Sequence, residues 1–237
     1  MFKKIQFTGK ILIILTLSLV LGACTNSNSV NKPNKTNLNI NNQINNMENN
    51  NTTNKNSRTV LNQKDLAQEY QYVVLSTNYG DIKIKLYTDN TPITANNFLN
   101  LAQDGFYNNT KFHRIIEGFM IQGGDPLSKD DELKDRWGTG SPGYMIPNED
   151  VTGVSNVEGT ISMANAGPDT GGSQFFINTA DNISLDFDKQ PSQSQHSVFG
   201  EVVEGMDVVK EIESLEKDNR DRPIEDAVIR EVTLVKE

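Results

Sequence analysis

The 237-residue chain is expected to be mostly β, a closed antiparallel barrel capped by two α-helices. Three observations predict this. Short runs rich in β-branched and aromatic residues recur from Val73 to Val235, bounded by Gly, Asn, Asp and Pro. One of them alternates strictly, Ile82, Ile84 and Leu86 against Lys83 and Lys85, the period of a strand with one buried face. Only two stretches carry the spacing of a substantial amphipathic helix. Many strands with two helices fit a barrel whose ends the helices cover.

Taken in order, Val60 to Glu69 predicts a short lead-in helix. Val73 to Thr77, the turn Asn78-Tyr79-Gly80 and the alternating run then make a hairpin. Thr91-Pro92 opens the first long helix, with Thr as cap and Pro at the first helical position. Ala95, Phe98, Leu99 and Ala102 share its apolar face, and Gly105 closes it. Lys111 to Ile116 returns as a strand. Leu127 to Ser141 is charged and irregular without the spacing of a calcium loop, and reads as a solvated insertion pinned by Trp137. Ile161 to Ala164, Phe175 to Asn178 and Ser197 to Glu201 are strands. Val208, Val209, Ile212 and Leu215 line one face of the second helix, and Ala227 to Val235 is a closing strand.

Composition excludes several classes. The net charge is −9, and from Thr59 onward 15 basic and 30 acidic residues give −15. Such a surface lacks the basic footprint of a nucleic-acid binder. Cys24 is the only cysteine, so no intrachain disulfide or thiolate metal site can form. With two histidines, His113 and His196, a His-rich metal centre is not expected either. Residues 1–23 read as a secretion signal: Lys3, Lys4 and Lys10 precede an apolar body that ends in Gly22-Ala23. That body is shorter than the roughly 20 residues that span a bilayer. Residues 24–58 are dominated by asparagine and lack aromatics, so they cannot bury enough surface to offset chain entropy. They read as a tether averaging about 30 Å end to end. Residues 59–237 are left as the folded domain.

Function is carried by two stretches. The first runs Phe112-His113-Arg114-Ile115-Ile116-Glu117-Gly118-Phe119-Met120-Ile121-Gln122-Gly123-Gly124-Asp125. It sets an arginine in an apolar run, where burial is costly unless the guanidinium is hydrogen-bonded or needed for function. The second is Ser162-Met163-Ala164-Asn165-Ala166-Gly167, followed by Gly171-Gly172-Ser173-Gln174-Phe175-Phe176-Ile177. Taken singly, Phe176 and Met120 fit a core as well as a site. A hydrolase built on Ser173 is not supported, because no Gly-x-Ser-x-Gly elbow surrounds it. In order and length the two stretches resemble the signature of the cyclophilin family of peptidyl-prolyl cis-trans isomerases.

That resemblance covers roughly Tyr70 to Val235 and implies eight strands with a proline-binding groove on the barrel's outer face. It implies a catalytic set of Arg114, Phe119, Gln122 and Asn165. Met120, Ala164, Gln174, Phe176, Leu185 and His196 are implied as substrate-binding residues. The chemistry is consistent. Twisting an X-Pro bond breaks amide resonance and frees the prolyl nitrogen's lone pair. A guanidinium donating to that lone pair favours the twisted state over either planar one. No nucleophile, metal or cofactor is required. The alternative is a binding module or chaperone that holds proline peptides without turnover; a buried Arg114 guanidinium beside Gln122 would favour the enzyme. The chain departs from the family at Ser184, where an aromatic is usual and cyclosporin affinity is expected to suffer. It departs again at Glu117 and in the extra run Phe187 to Gln195.

Leu21-Gly22-Ala23-Cys24 resembles a bacterial lipobox, which implies cleavage before Cys24 and diacylglyceryl attachment to its thiol. Two acyl chains suffice for stable anchoring. The expected partners are proline-containing polypeptides and, through the lipid, the extracytoplasmic face of the cell membrane. The chain is expected to be a monomer.

Overall fold

The structure, a computed structural model, describes residues 63–189 and 195–236. The signal, Cys24 and the Asn-rich tether lie outside the described residues, as does part of the Phe187 to Gln195 insertion.

The expected hairpin forms from β1 (Tyr72–Thr77) and β2 (Asp81–Leu86), with Ile82 and Ile84 wholly buried. Helix α1 (Pro92–Gln103) follows, then β3 (Thr110–Lys111), β4 (Arg114–Ile116) and β5 (Met120–Gly123). Two 3-10 turns, Pro126–Lys129 and Asp131–Arg136, occupy the predicted insertion. Strands β6 (Thr160–Met163) and β7 (Phe175–Asn178), the 3-10 turn Ile183–Leu185 and β8 (Val198–Glu204) come next. Helix α2 (Met206–Glu213) and β9 (Val228–Val235) complete the order.

The strands of the sheet pair antiparallel throughout, in the order β3-β9-β1-β2-β8-β6-β7-β5-β4. Among the described residues it has nine strands rather than the expected eight, because the run Lys111 to Ile116 is divided. Phe112-His113 separates β3 from β4, which pair with different partners, β9 and β5, at opposite ends of the order. The sheet therefore curls until its two end strands are joined by two residues of chain. No β3–β4 ladder exists among the described residues.

Register explains how this sheet makes both a core and a site. Ile115 pairs with Ile121, Ile121 with Ile177, and Ile177 with Ile161, so one row of isoleucines crosses four strands, each with no exposure. Burying each such side chain is worth about 1.5–3 kcal/mol. The neighbouring row, Arg114, Gln122, Phe176 and Ser162, necessarily points to the other face. A one-residue slip would put the arginine inside, so the core fixes the site. Inside the curl, Phe98 of α1 stacks on Tyr107 at 4.8 Å and meets Phe175 and Phe199 at 5.4 Å. Val209 and Ile212 of α2 are fully buried.

Two helical expectations need correction. Gln63 to Glu69 is irregular and then a turn, not a helix; residues 60–62 lie outside the described part. Asparagines of α1 satisfy its backbone from outside: Leu66 N donates to Asn96 Oδ1 (2.8 Å) and Lys64 N to Asn100 Oδ1 (3.0 Å). The Thr91 side chain makes no capping bond to α1. Glu149 does that instead, accepting from Ile93 N (2.9 Å) and Thr94 N (2.7 Å), while Thr91 Oγ1 donates back to Tyr87 O.

Candidate active site

The outer row of β4, β5 and β7 opens into a groove of about 550 Å³, counted out to open solvent. Arg114, Phe119, Met120 and Gln122 line one side; Ala164, Asn165, Phe176, Leu185 and His196 line the rest. Nine of the ten predicted site residues are thus brought together. Gln174 alone is outside the lining. Its Oε1 accepts from Gln122 Nε2 (3.0 Å), and its own Nε2 donates to the carbonyls of Gly138 (3.0 Å) and Gly140 (2.8 Å). Gln122 Oε1 in turn accepts from Arg114 Nη1 at 3.4 Å. The three side chains form a relay that ends on the loop after Arg136, so Gln174 acts on Arg114 through Gln122.

Arg114 is exposed, which corrects the expectation of a buried guanidinium. The cause is the period of β4: Ile115 takes the inward position, leaving Arg114 outward on an end strand. Its long contact to Gln122 leaves most of its five donors uncommitted. Met120 and Phe176 are almost fully buried in the groove floor, and Phe119 is half-buried at its rim. Phe119 is fixed through its backbone, whose carbonyl accepts from Thr179 N (3.0 Å) and Asn182 Nδ2 (2.7 Å).

On the opposite wall, His196 sets its ring edge-on to Phe176 at 5.2 Å. Its Nδ1 lies 3.0 Å from Met163 O, and a carbonyl only accepts, so Nδ1 carries the proton and Nε2 is left as an acceptor. Asn165 is held by Nδ2 donating to Gln195 O (2.8 Å), while its backbone N–H takes no acceptor among the described residues. Leu185 sits beside Asp186, to which the sequence reading assigns no role. Burial pushes the Asp186 carboxyl up, but hydrogen bonds from Ser155 and Asn156 outweigh this and hold it below the usual carboxylate value. Asp186 thereby anchors the Leu185 turn to the loop before β6. A polar chain of this kind has no sequence period and could have been suspected only from the adjacent Leu-Asp. Trp137 does pin the insertion as expected, donating from Nε1 to Asp130 O (3.0 Å), with Lys111 Nζ 4.8 Å above its ring. The insertion is built, however, not merely solvated: its two turns are capped by the Asp125 and Asp130 side chains.

Burial lowers the pKa of both histidines below the ordinary 6.5, against an opposing pull from Asp125 on His113 and from Met163 O on His196. Below pH 6.5 the unfolded chain therefore binds protons that the folded chain refuses. Stability contributed by neutral burial is full above that pH and falls as acid is added. Thermal midpoints should be flat above about pH 7 and decline toward pH 5, before the carboxylates titrate. His113→Gln should flatten part of the decline; a midpoint that rises on acidification would contradict neutral burial.

Comparison with known proteins places this geometry. Residues 72–234 match the family model for the cyclophilin type peptidyl-prolyl cis-trans isomerases. The chain is 42% identical over 170 residues to peptidyl-prolyl cis-trans isomerase B of Escherichia coli, covering 68% of this chain and 98% of that one. It is 43% identical over 165 residues to peptidyl-prolyl cis-trans isomerase CYP71 of Arabidopsis thaliana, 69% of this chain but 24% of that protein. The chain spans about a quarter of the length of the longer curated relatives it matches. A cyclophilin type peptidyl-prolyl cis-trans isomerase of Cryptosporidium parvum, solved in the presence of the dipeptide Ala-Pro, superposes with a TM-score of 0.62 at 32% identity, over 70% of this chain and all of that one.

The chain belongs to the cyclophilin family. Residues 72–234 form a cyclophilin type peptidyl-prolyl cis-trans isomerase domain, mostly β with a curled antiparallel sheet and two helices.

Proposed function

We propose that this chain accelerates rotation about X-Pro bonds in secreted or surface polypeptides while tethered by lipid outside the membrane. The observation that carries the catalytic part is the groove, which sets an uncommitted guanidinium beside an apolar cup. Met120, Phe119, Phe176 and Leu185 take the pyrrolidine ring, with His196 closing the far side. The free N–H of Asn165 holds the substrate carbonyl, and Ala164 leaves room for the chain beside it. As the bond twists, Arg114 donates to the prolyl nitrogen, held in orientation by Gln122 and, behind it, Gln174. The interaction is strongest in the twisted state, so it lowers the barrier rather than merely tightening binding. Cutting a tens-of-seconds step to milliseconds takes about 6 kcal/mol. A charged hydrogen bond desolvated by the substrate, together with positioning, is of that order. The dipeptide used with the Cryptosporidium protein has the chemistry this groove would take.

A protease-coupled assay on an Ala-Pro peptide tests the reading. Substoichiometric full chain should speed the slow phase; peptide binding without acceleration would leave only a holding module. The anchor is tested separately. Cys24→Ala should release the protein from membranes or stall it as an unprocessed precursor, because no other cysteine can be acylated. Processed, unacylated protein that remains on membranes would overturn the anchor and leave the groove untouched. The groove as described is complete within one chain, in keeping with a monomer.

A further inference from the structure

A second depression, about 580 Å³ out to open solvent, adjoins the prolyl groove and shares Arg114 and Gln122 with it. Its other lining comes from the insertion, from the loop between α2 and β9, and from His113. Charge is what sets it apart. The chain from Thr59 onward carries twice as many acids as bases, yet this depression is lined by Arg114, Lys134, Arg220 and Arg222 against the single acid Asp135.

The cations are unequally committed. Arg222 is spent as a brace, with Nε and Nη2 on Asp218 (2.8 Å each) and Nη1 donating to Lys134 O (2.9 Å). That brace ties the α2–β9 loop to the insertion and fixes the Lys134 backbone. Lys134 itself has no carboxylate partner among the described residues, and its Nζ lies 5.4 Å over the Trp137 ring. Among the described residues the Arg220 guanidinium meets only Asp135, at 3.1 Å, an acid that also lies 3.9 Å from Arg222; the Arg220 and Asp135 side chains are mostly exposed, so that pair is weak and exchangeable. On the inner wall His113 is buried, and among the described residues neither ring nitrogen makes a hydrogen bond of good geometry, an unusual state for a polar group.

We propose that this depression is a subsite for the carboxylate of an Asp or Glu flanking the isomerised proline, so that the enzyme favours acidic client segments. The inference rests on the isomerase reading of the adjoining groove. Because the two depressions share Arg114 and Gln122, a chain that seats its proline in one runs past the other. A carboxylate there displaces Asp135 from Arg220 and meets Lys134, with Trp137 forming the floor of the approach.

The test compares two peptide sets that differ only in having Glu or Gln on either side of an Ala-Pro core. Binding of the full chain is measured by calorimetry, and turnover by NMR exchange. For one of the two flanking positions, Glu should be preferred by about fivefold in kcat/KM, the worth of one partly screened charge pair. The preference should shrink as salt is raised. In the double variant Lys134→Gln/Arg220→Gln the Glu-to-Gln ratio should fall to about one. Equal use of Glu and Gln peptides by the wild type, or a preference that survives in the double variant, overturns the subsite while the isomerase reading stands. Acid preference in binding with no turnover of any peptide overturns the isomerase reading and leaves the subsite standing.

Discussion

Arg114→Ala should lower kcat/KM on an Ala-Pro peptide by about a hundredfold or more, close to 3 kcal/mol of transition-state stabilisation. The magnitude follows from where the guanidinium stands. Exposed in the free protein, it is screened by water and contributes little to holding a planar peptide. Once a prolyl ring covers the groove the water is displaced, and the nitrogen lone pair exposed by twisting becomes an acceptor that the planar peptide does not offer. The loss should therefore fall on kcat far more than on peptide affinity. Arg114→Lys should recover little, because an ammonium cannot both lean on Gln122 Oε1 and present an oriented second donor to the substrate. Near-full turnover by Arg114→Ala would remove the guanidinium from the mechanism and favour a holding role.

Gly124→Ala should be strongly destabilising, costing about 3 kcal/mol or more. Gly124 sits at φ +82, a region that strains any residue with a Cβ by about 1–2 kcal/mol. The added carbon would also stand 2.4 Å from the Ser173 carbonyl and 2.9 Å from the Phe175 ring. Backbone cannot step aside as a long side chain can, so the overpacking cost adds to the strain. Both neighbours matter to the site: Ser173 donates to Gly124 O (2.9 Å) and precedes Gln174, while Gly123 pairs with Phe175 directly after Gln122. Chemical denaturation should show a lowered midpoint with an unchanged slope. Gly118→Ala is the control for strain alone, at φ +69 with nothing near its Cβ position, and it should cost less.

Gly124 also shows what the sequence could and could not disclose. The Gly-Gly of the first motif announces a close approach of backbone, but not which backbone, and Ser173 lies about fifty residues away. Alternation within single strands was plain, and it put Ile82, Ile84 and Leu86 inside correctly. The sequence points to a buried Arg114 for a related reason. Its neighbours Ile115 and Ile116 look alike in sequence, and only pairing with β5 reveals that Ile115 alone faces the core. The division of one expected strand into β3 and β4 was likewise invisible, since it depends on which partners the two halves find. The groove residues fell close together because the family motifs name them in order. The supporting polar groups, Glu149 on α1, Asp186 behind Leu185 and Asn182 on Phe119, did not. Each is a single polar residue in a loop whose partner is distant in the chain, and no local pattern encodes such a meeting.

The central claim, that the groove turns proline peptides over through Arg114 and does not simply hold them, is most directly tested by NMR exchange spectroscopy. An Ala-Pro peptide in large excess would be observed with the wild-type full chain and with Arg114→Ala. Uncatalysed, its cis and trans signals interconvert over tens of seconds and give no exchange peaks at sub-second mixing times. The wild type should produce those peaks, and Arg114→Ala should perturb the same peptide resonances by binding while the exchange peaks vanish. Peptide resonances shifted by the wild type without any cis–trans exchange, or exchange undiminished in Arg114→Ala, would contradict the claim.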